Sequence, residues 1–155
     1  MCEEALGLYL QRDDRFGIQG CLINLLRIAQ ARGDADRMLS LGREVLPISR
    51  DQGSPVNVAT ALDPLAWAIH VGGDPARATR LLAAADGIRE GLGLRLRVGA
   101  DRARVEAELL ALRSALGEEA FAVAWAAGQA LTVEQAVAEA LQAIDEAQQE
   151  SGTLL

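Results

Sequence analysis

Apolar side chains recur along the first two-thirds of the chain at helical rather than strand spacing. Ile18, Leu22, Leu25 and Ala29 fall on one face of a helix, and so do Val58, Leu62, Leu65 and Ile69 forty residues further on. Two further stripes, Met38–Leu41–Val45–Ile48 and Ala78–Leu81–Ala85–Ile88, show the same forty-residue offset. That offset also places Gly33-Asp34 on Gly73-Asp74, Arg37 on Arg77 and Gly53 on Gly93. Core and turn positions repeat together, which marks a structural unit.

The turns have a physical basis. Glycine adopts the left-handed conformation that ends one helix, aspartate caps the next, and Pro75 suits a first helical turn. Each unit is therefore an αα-hairpin. A lone hairpin leaves an apolar face uncovered, so the units are expected to stack as a solenoid with a curved surface suited to binding. Continued backwards, the offset puts Ala5 on Val45, Leu8 on Ile48 and Asp13 on Gly53. Glu3–Gln11 then reads as the end of a second helix without its partner. The expectation is an excerpt of a longer protein, with an N-terminal face that meets another repeat. Pro47 and Pro64 fall inside expected helices, where each removes a backbone hydrogen bond and predicts a bend or break.

The period fails beyond Gly93. Leu94–Ala100 reads as a connector; Val105, Leu109, Leu112 and Leu116 form a stripe over a helix from Arg102 to Leu116. Phe121 and Trp125 form an i,i+4 aromatic pair on a short helix that ends near Gly128, and anchor it by packing. Thr132 and Gln135 resemble a capping box opening a last amphipathic helix toward Gln149, with a frayed tail from Ser151. The resulting division is 1–94, about two full hairpins plus the end of a preceding one, and 95–155, a three-helix C-terminal cap within the same compact domain. The fold class is all-α.

Composition fits this reading. Half of the residues are apolar but only 3% are aromatic, so burial must come from Ala, Leu, Val and Ile. The 15 basic residues are all arginine, which suggests a GC-rich bacterial genome or a thermophile rather than a chemical function, and the net charge of −7 argues against direct nucleic-acid binding. Cys2 and Cys21 form no disulfide framework or metal motif, and no signal-peptide h-region follows Met1, which favours a reducing cytoplasm. The weakly polar run Ala120–Ala127 is far too short to span a bilayer, so no membrane role is expected.

The segment "ATRLLAAADGIREGLG" at 78–93, with "LGEEAFAVAWAAGQALTVEQAVAEAL" at 116–141, resembles the tetratricopeptide-type C-terminal region of bacterial LuxR-type transcriptional regulators and related STAND-class ATPases. The resemblance implies a tetratricopeptide-like superhelix serving protein binding and signal transduction. It carries over neither ATPase nor DNA-binding activity, because the chain has no phosphate-binding glycine loop with lysine and no helix-turn-helix reader.

Catalytic chemistry has little to draw on. His70 is the only histidine and no nucleophile motif accompanies it. The pairs Glu3-Glu4, Asp13-Asp14 and Glu118-Glu119 diverge as adjacent residues do, and a zinc site lacks convergent ligands. No catalytic residue, metal or cofactor is assigned, and the chain reads as a non-enzyme. The most pointed constellation is Asp63, Trp67 and His70, at i, i+4 and i+7 away from the main stripe. Their repeat equivalents are Ile23, Arg27 and Gln30. With Asn24 and Arg27 they offer a groove for a peptide or protein partner or a small effector; the competing expectation is that Trp67 packs between repeats and His70 sits on the rim. Arg95, Arg97, Arg102 and Arg104 form a basic patch offset by Glu106 and Glu108, and default to a solvated connector. The function expected is interaction and signal sensing in a bacterial regulator. Self-association as a homodimer through the N-terminal face is the alternative, and a small enzyme of unknown type the second.

Overall fold

One backbone turn, used five times, sets the layout of the first five helices. In the computed structural model, which describes residues 2–94 and 99–153, Asp13, Gly33, Gly53, Gly73 and Gly93 all have positive φ, at 52°, 67°, 63°, 104° and 70°. At each, the following residue's N–H donates to the carbonyl five positions back, as Asp34 does to Ala29 at 3.0 Å and Asp74 to Ile69 at 3.2 Å. The positive-φ residue itself donates three positions back, as Gly33 does to Gln30 at 3.1 Å. This pair of bonds satisfies carbonyls that a helix end otherwise leaves open. The next residue then caps the following helix: Asp14, Asp34 and Asp74 accept from the N–H groups of Gly17, Arg37 and Arg77 at 3.0–3.1 Å. Ser54 holds the same place without a side-chain bond, ahead of Pro55, which has no N–H to satisfy.

The helices so delimited are α1 (Cys2–Gln11), α2 (Arg15–Ala31), α3 (Ala35–Asp51), α4 (Pro55–Val71) and α5 (Pro75–Gly91). The geometric unit, one 17-residue helix and a three-residue turn, is thus half of the sequence period. Alternate helices meet different neighbours, so their side-chain patterns repeat only at every second unit. Then follow α6 (Gly99–Leu116), α7 (Glu118–Gln129) and α8 (Val133–Thr153). Among the described residues there are eight helices and no strand, so the protein is all-α.

Neither proline ends its helix: α3 runs through Pro47 and α4 through Pro64. The expected break does not occur because the flanking turns are locked in place, with Val45, Leu46, Leu62 and Leu65 fully buried. That burial, at about 1.5–3 kcal/mol per large side chain, offsets a proline's cost of about 3 kcal/mol inside a helix, the lost hydrogen bond and the ring's clash with the preceding turn together.

The core sits among α2–α5, around Leu22, Leu26, Met38, Leu62, Leu65, Leu81 and Leu82, and continues under α8. α8 reaches back across α3, α4 and α5 instead of covering only the last hairpin, and buries Ala136, Val137, Ala140 and Ile144 completely. It packs closely over Gly42 of α3, where a Cβ would lie 2.5 Å from Leu65 of α4 and 3.2 Å from Ile144 of α8. Ion pairs Arg43–Asp145, Arg77–Glu146 and Arg80–Glu139 line its edges. The Glu146 contact raises the Arg77 pKa, and the same hydrogen bond lowers that of Glu146.

α7 packs on α5 through small residues. A Cβ on Gly128 would lie 2.2 Å from the Arg80 carbonyl oxygen, and one on Gly87 3.2 Å from that of Gln129. Phe121 and Trp125 stack with centroids 5.8 Å apart, and the Arg113 guanidinium lies 4.8 Å above the Phe121 ring. The capping box at the start of α8 is formed: Thr132 N–H donates to Gln135 Oε1 at 2.9 Å, and Gln135 N–H to Thr132 Oγ1 at 3.1 Å. α8 continues as helix to Thr153, past the point where fraying was expected. Of the expected connector, residues 95–98, including Arg95 and Arg97, lie outside the described residues, and the helix already begins at Gly99.

Candidate interaction surface

The face of α4 singled out by the sequence is drawn into contacts with three other parts of the chain. Asp63 accepts two hydrogen bonds from the Arg89 guanidinium of α5, at 3.3 and 2.9 Å, and Asp86 lies 3.9 Å from the same group. Arg89 and Asp86 are buried, so the fork of the guanidinium gives Asp63 two charge-assisted hydrogen bonds and Asp86 a nearby opposite charge in an interior where a carboxylate is costly to leave alone. One helical turn on, Trp67 is half-buried against the core, its Cη2 4.0 Å from where a Cβ of Gly33 would stand in the α2–α3 turn. A further turn on, His70 Nδ1 is 2.7 Å from Glu108 Oε1 of α6. Asp63 and His70 thus act as ties between helices, and Trp67 as packing. Asn24 and Arg27, on α2, are exposed.

Sequence reasoning missed the partners of these residues. Arg89 and Asp86 gave no signal, because a charged residue on a buried face breaks the apolar pattern without revealing what it meets. By local spacing, Arg104 and Glu108 belong to a self-neutralising surface patch. In the structure they diverge in role: Arg104 Nη1 donates to Gln30 Oε1 of α2 at 3.0 Å, while Glu108 holds His70 of α4.

Two further surfaces stand out. At the α1–α2 end, Leu8, Leu10 and Phe16 are 57%, 58% and 78% exposed. At Gly7 and Gly20 on the same two helices nothing lies within 4 Å of where a Cβ would stand, whereas the Gly17 position is filled by the Tyr9 ring. The positions equivalent to Leu8, Ile48 and Ile88, are half-buried and buried. An open cleft of about 620 Å³ lies between the start of α5 and the α6–α7 turn, lined by Ala76, Arg80, Leu116, Ala120, Val123 and Ala127. Arg80 is already paired with Glu139, which leaves the cleft predominantly apolar.

Cys21 is buried on α2, and burial raises its thiol pKa, with a smaller contribution from nearby Cys2. Such a thiol is a weak nucleophile at neutral pH. Among the described residues, no group of three or more His, Cys, Asp or Glu side chains converges as metal ligands, and no helix is long and apolar enough to cross a membrane. Comparison with family models, curated proteins and solved structures gives no match.

Proposed function

We propose that this chain is a protein-interaction module of a bacterial transcriptional or signal-transduction regulator, built as a tetratricopeptide-like solenoid and working in the cytoplasm. The observation that carries the reading is the open α1–α2 end face. Leu8, Leu10 and Phe16 remain exposed there, while Ile48 and Ile88, the repeat equivalents of Leu8, are half-buried and buried. An exposed leucine whose counterparts inside the same stack are more covered fits docking of another helix at Leu8, with Phe16 beside it as a further exposed apolar side chain although its own counterpart, Val56, is exposed as well. The uniform turns support a solenoid, and the resemblance in 78–93 and 116–141 supports the regulator setting. The occupant is a helix of a partner protein; a symmetric dimer through the same face is the second reading.

The test uses a labelled peptide with the sequence of residues 15–31, because α2 packs on α3 as a preceding helix would pack on α1. It should bind the intact chain and lose that binding in L8E/F16E, whose exposed substitutions leave the fold intact. Equal binding to both proteins, or none to either, contradicts the reading. Light scattering separates the occupants: the mass of one chain removes the dimer, and a dimer dissolved by L8E/F16E makes the second copy the ligand.

A further inference from the structure

Gln30 and His70 stand one sequence repeat apart, on α2 and α4, and α6 contacts both. Arg104 reaches Gln30 at 3.0 Å and Glu108 reaches His70 at 2.7 Å. Arg104 and Glu108 are four residues apart, one turn or about 6 Å along the α6 axis. Neighbouring helix axes are about 8–10 Å apart, a difference that the long Arg104 side chain can span. α6 therefore reads the same position of two successive units with one side chain each, one turn apart, which is how a helical ligand would read a repeating surface.

The hold on α6 is also weaker than on the helices around it. Among its described side chains only Leu112 is fully buried; Val105, Leu109 and Leu116 are partly covered and Leu110 is 69% exposed. α8, by comparison, buries Ala136, Val137, Ala140 and Ile144 completely. Arg104 keeps a second contact within α6, to Asp101 at 3.4 Å, so its bond to Gln30 is not its sole polar contact.

We propose that the Gln30–His70 row, bordered by Trp67, is a docking site for a helix of a partner protein, and that α6 occupies it in cis as a displaceable stand-in. The partner helix carries a guanidinium and, four residues later, a carboxylate, with apolar residues just after each and again three further on, the pattern of Arg104-Val105, Glu108-Leu109 and Leu112. The proposal rests on the reading of the chain as an interaction module, yet it uses residues other than Leu8 and Phe16. The L8E/F16E variant leaves this site intact, and each proposal can fail without the other.

A fluorescent peptide spanning residues 99–116 tests it by anisotropy against the full chain. The cis helix competes at high effective concentration, so the intact protein binds the peptide weakly. The R104Q/E108Q protein, with its own α6 loosened, binds the unchanged peptide at least tenfold more tightly. Adding His70→Ala to that protein removes the gain. If R104Q/E108Q fails to fold, the intact protein is titrated instead with the peptide carrying R104Q/E108Q, which must bind at least tenfold more weakly than the unchanged one. Absence of peptide binding to any folded form, or binding indifferent to the peptide's own arginine and glutamate, overturns the proposal.

Discussion

The same substitution, glycine to alanine, is expected to have opposite effects at two helical positions. Gly20 is exposed on α2 and nothing lies within 4 Å of its Cβ position. Alanine there gains only helix propensity, about 0.5–1 kcal/mol. Gly128 in α7 is buried, and its Cβ would stand 2.2 Å from the Arg80 carbonyl oxygen, 2.8 Å from Arg80 Cα and 2.7 Å from Ala83 Cβ. These are mostly backbone atoms, so no side-chain rotation relieves the clash, and α7 must move away from α5 by about 1 Å to restore contact distance. Overpacking of this kind costs about 1–3 kcal/mol, and the rigid neighbours place Gly128→Ala at or above the upper end. After about 1 kcal/mol of propensity is credited back, the net loss is about 2 kcal/mol. For a domain of this size that lowers Tm by about 4–8 °C, against a rise of about 1–4 °C for Gly20→Ala. Thermal unfolding followed by far-UV circular dichroism measures both. A G128A protein as stable as the wild type would refute the close α5–α7 packing.

Three further outcomes follow from the same contacts. Arg89→Leu removes two charge-assisted hydrogen bonds to Asp63 and should cost about 2 kcal/mol, read as a lower urea midpoint with unchanged slope. Arg27→Ala, at an exposed site, should change stability by no more than about 0.5 kcal/mol, whereas Trp67→Ala, half-buried against the core, should cost about 2 kcal/mol; equal effects would contradict the placement of the two side chains. The Arg77 hydrogen bond lowers the Glu146 pKa, so its contribution is fully present above the ordinary carboxylate range and is lost as pH falls through the folded-state value. The Tm difference between wild type and Glu146→Gln should therefore be constant near neutral pH and shrink on acidification, and a difference that grew in acid would reverse the assigned sign.

Much of the helical layout was legible because its determinants are local. Gly33, Gly53, Gly73 and Gly93 announce their turns by residue type, Asp34 and Asp74 announce caps, and Thr132 with Gln135 announces the start of α8. Asp13 is placed at the same turn by its offset from Gly53, and there it holds with a side chain the conformation that glycine holds elsewhere. What covers each apolar stripe was not legible. The pattern Val133, Val137, Ala140, Ile144 identifies a buried face, but the packing of Ile144 over Gly42 joins residues about a hundred positions apart. The candidate site shows the same limit. The spacing of Asp63, Trp67 and His70 set them apart from the main stripe, but Arg89 and Glu108, which engage two of them, come from α5 and α6, where nothing in their own local patterns pointed to α4.

Underlying both interaction proposals is one physical picture: an inner stack, α2–α5 with α8, carrying two less tightly held helices, α1 and α6, next to surfaces that accept other helices. Amide hydrogen exchange on the isolated chain, resolved helix by helix, tests that picture most directly. The account predicts slow exchange throughout α3, α4, α5 and the buried length of α8, with α1 and α6 exchanging at least tenfold faster under native conditions. Protection of α6 equal to that of α4, or exchange of α8 as fast as that of α1, would contradict it.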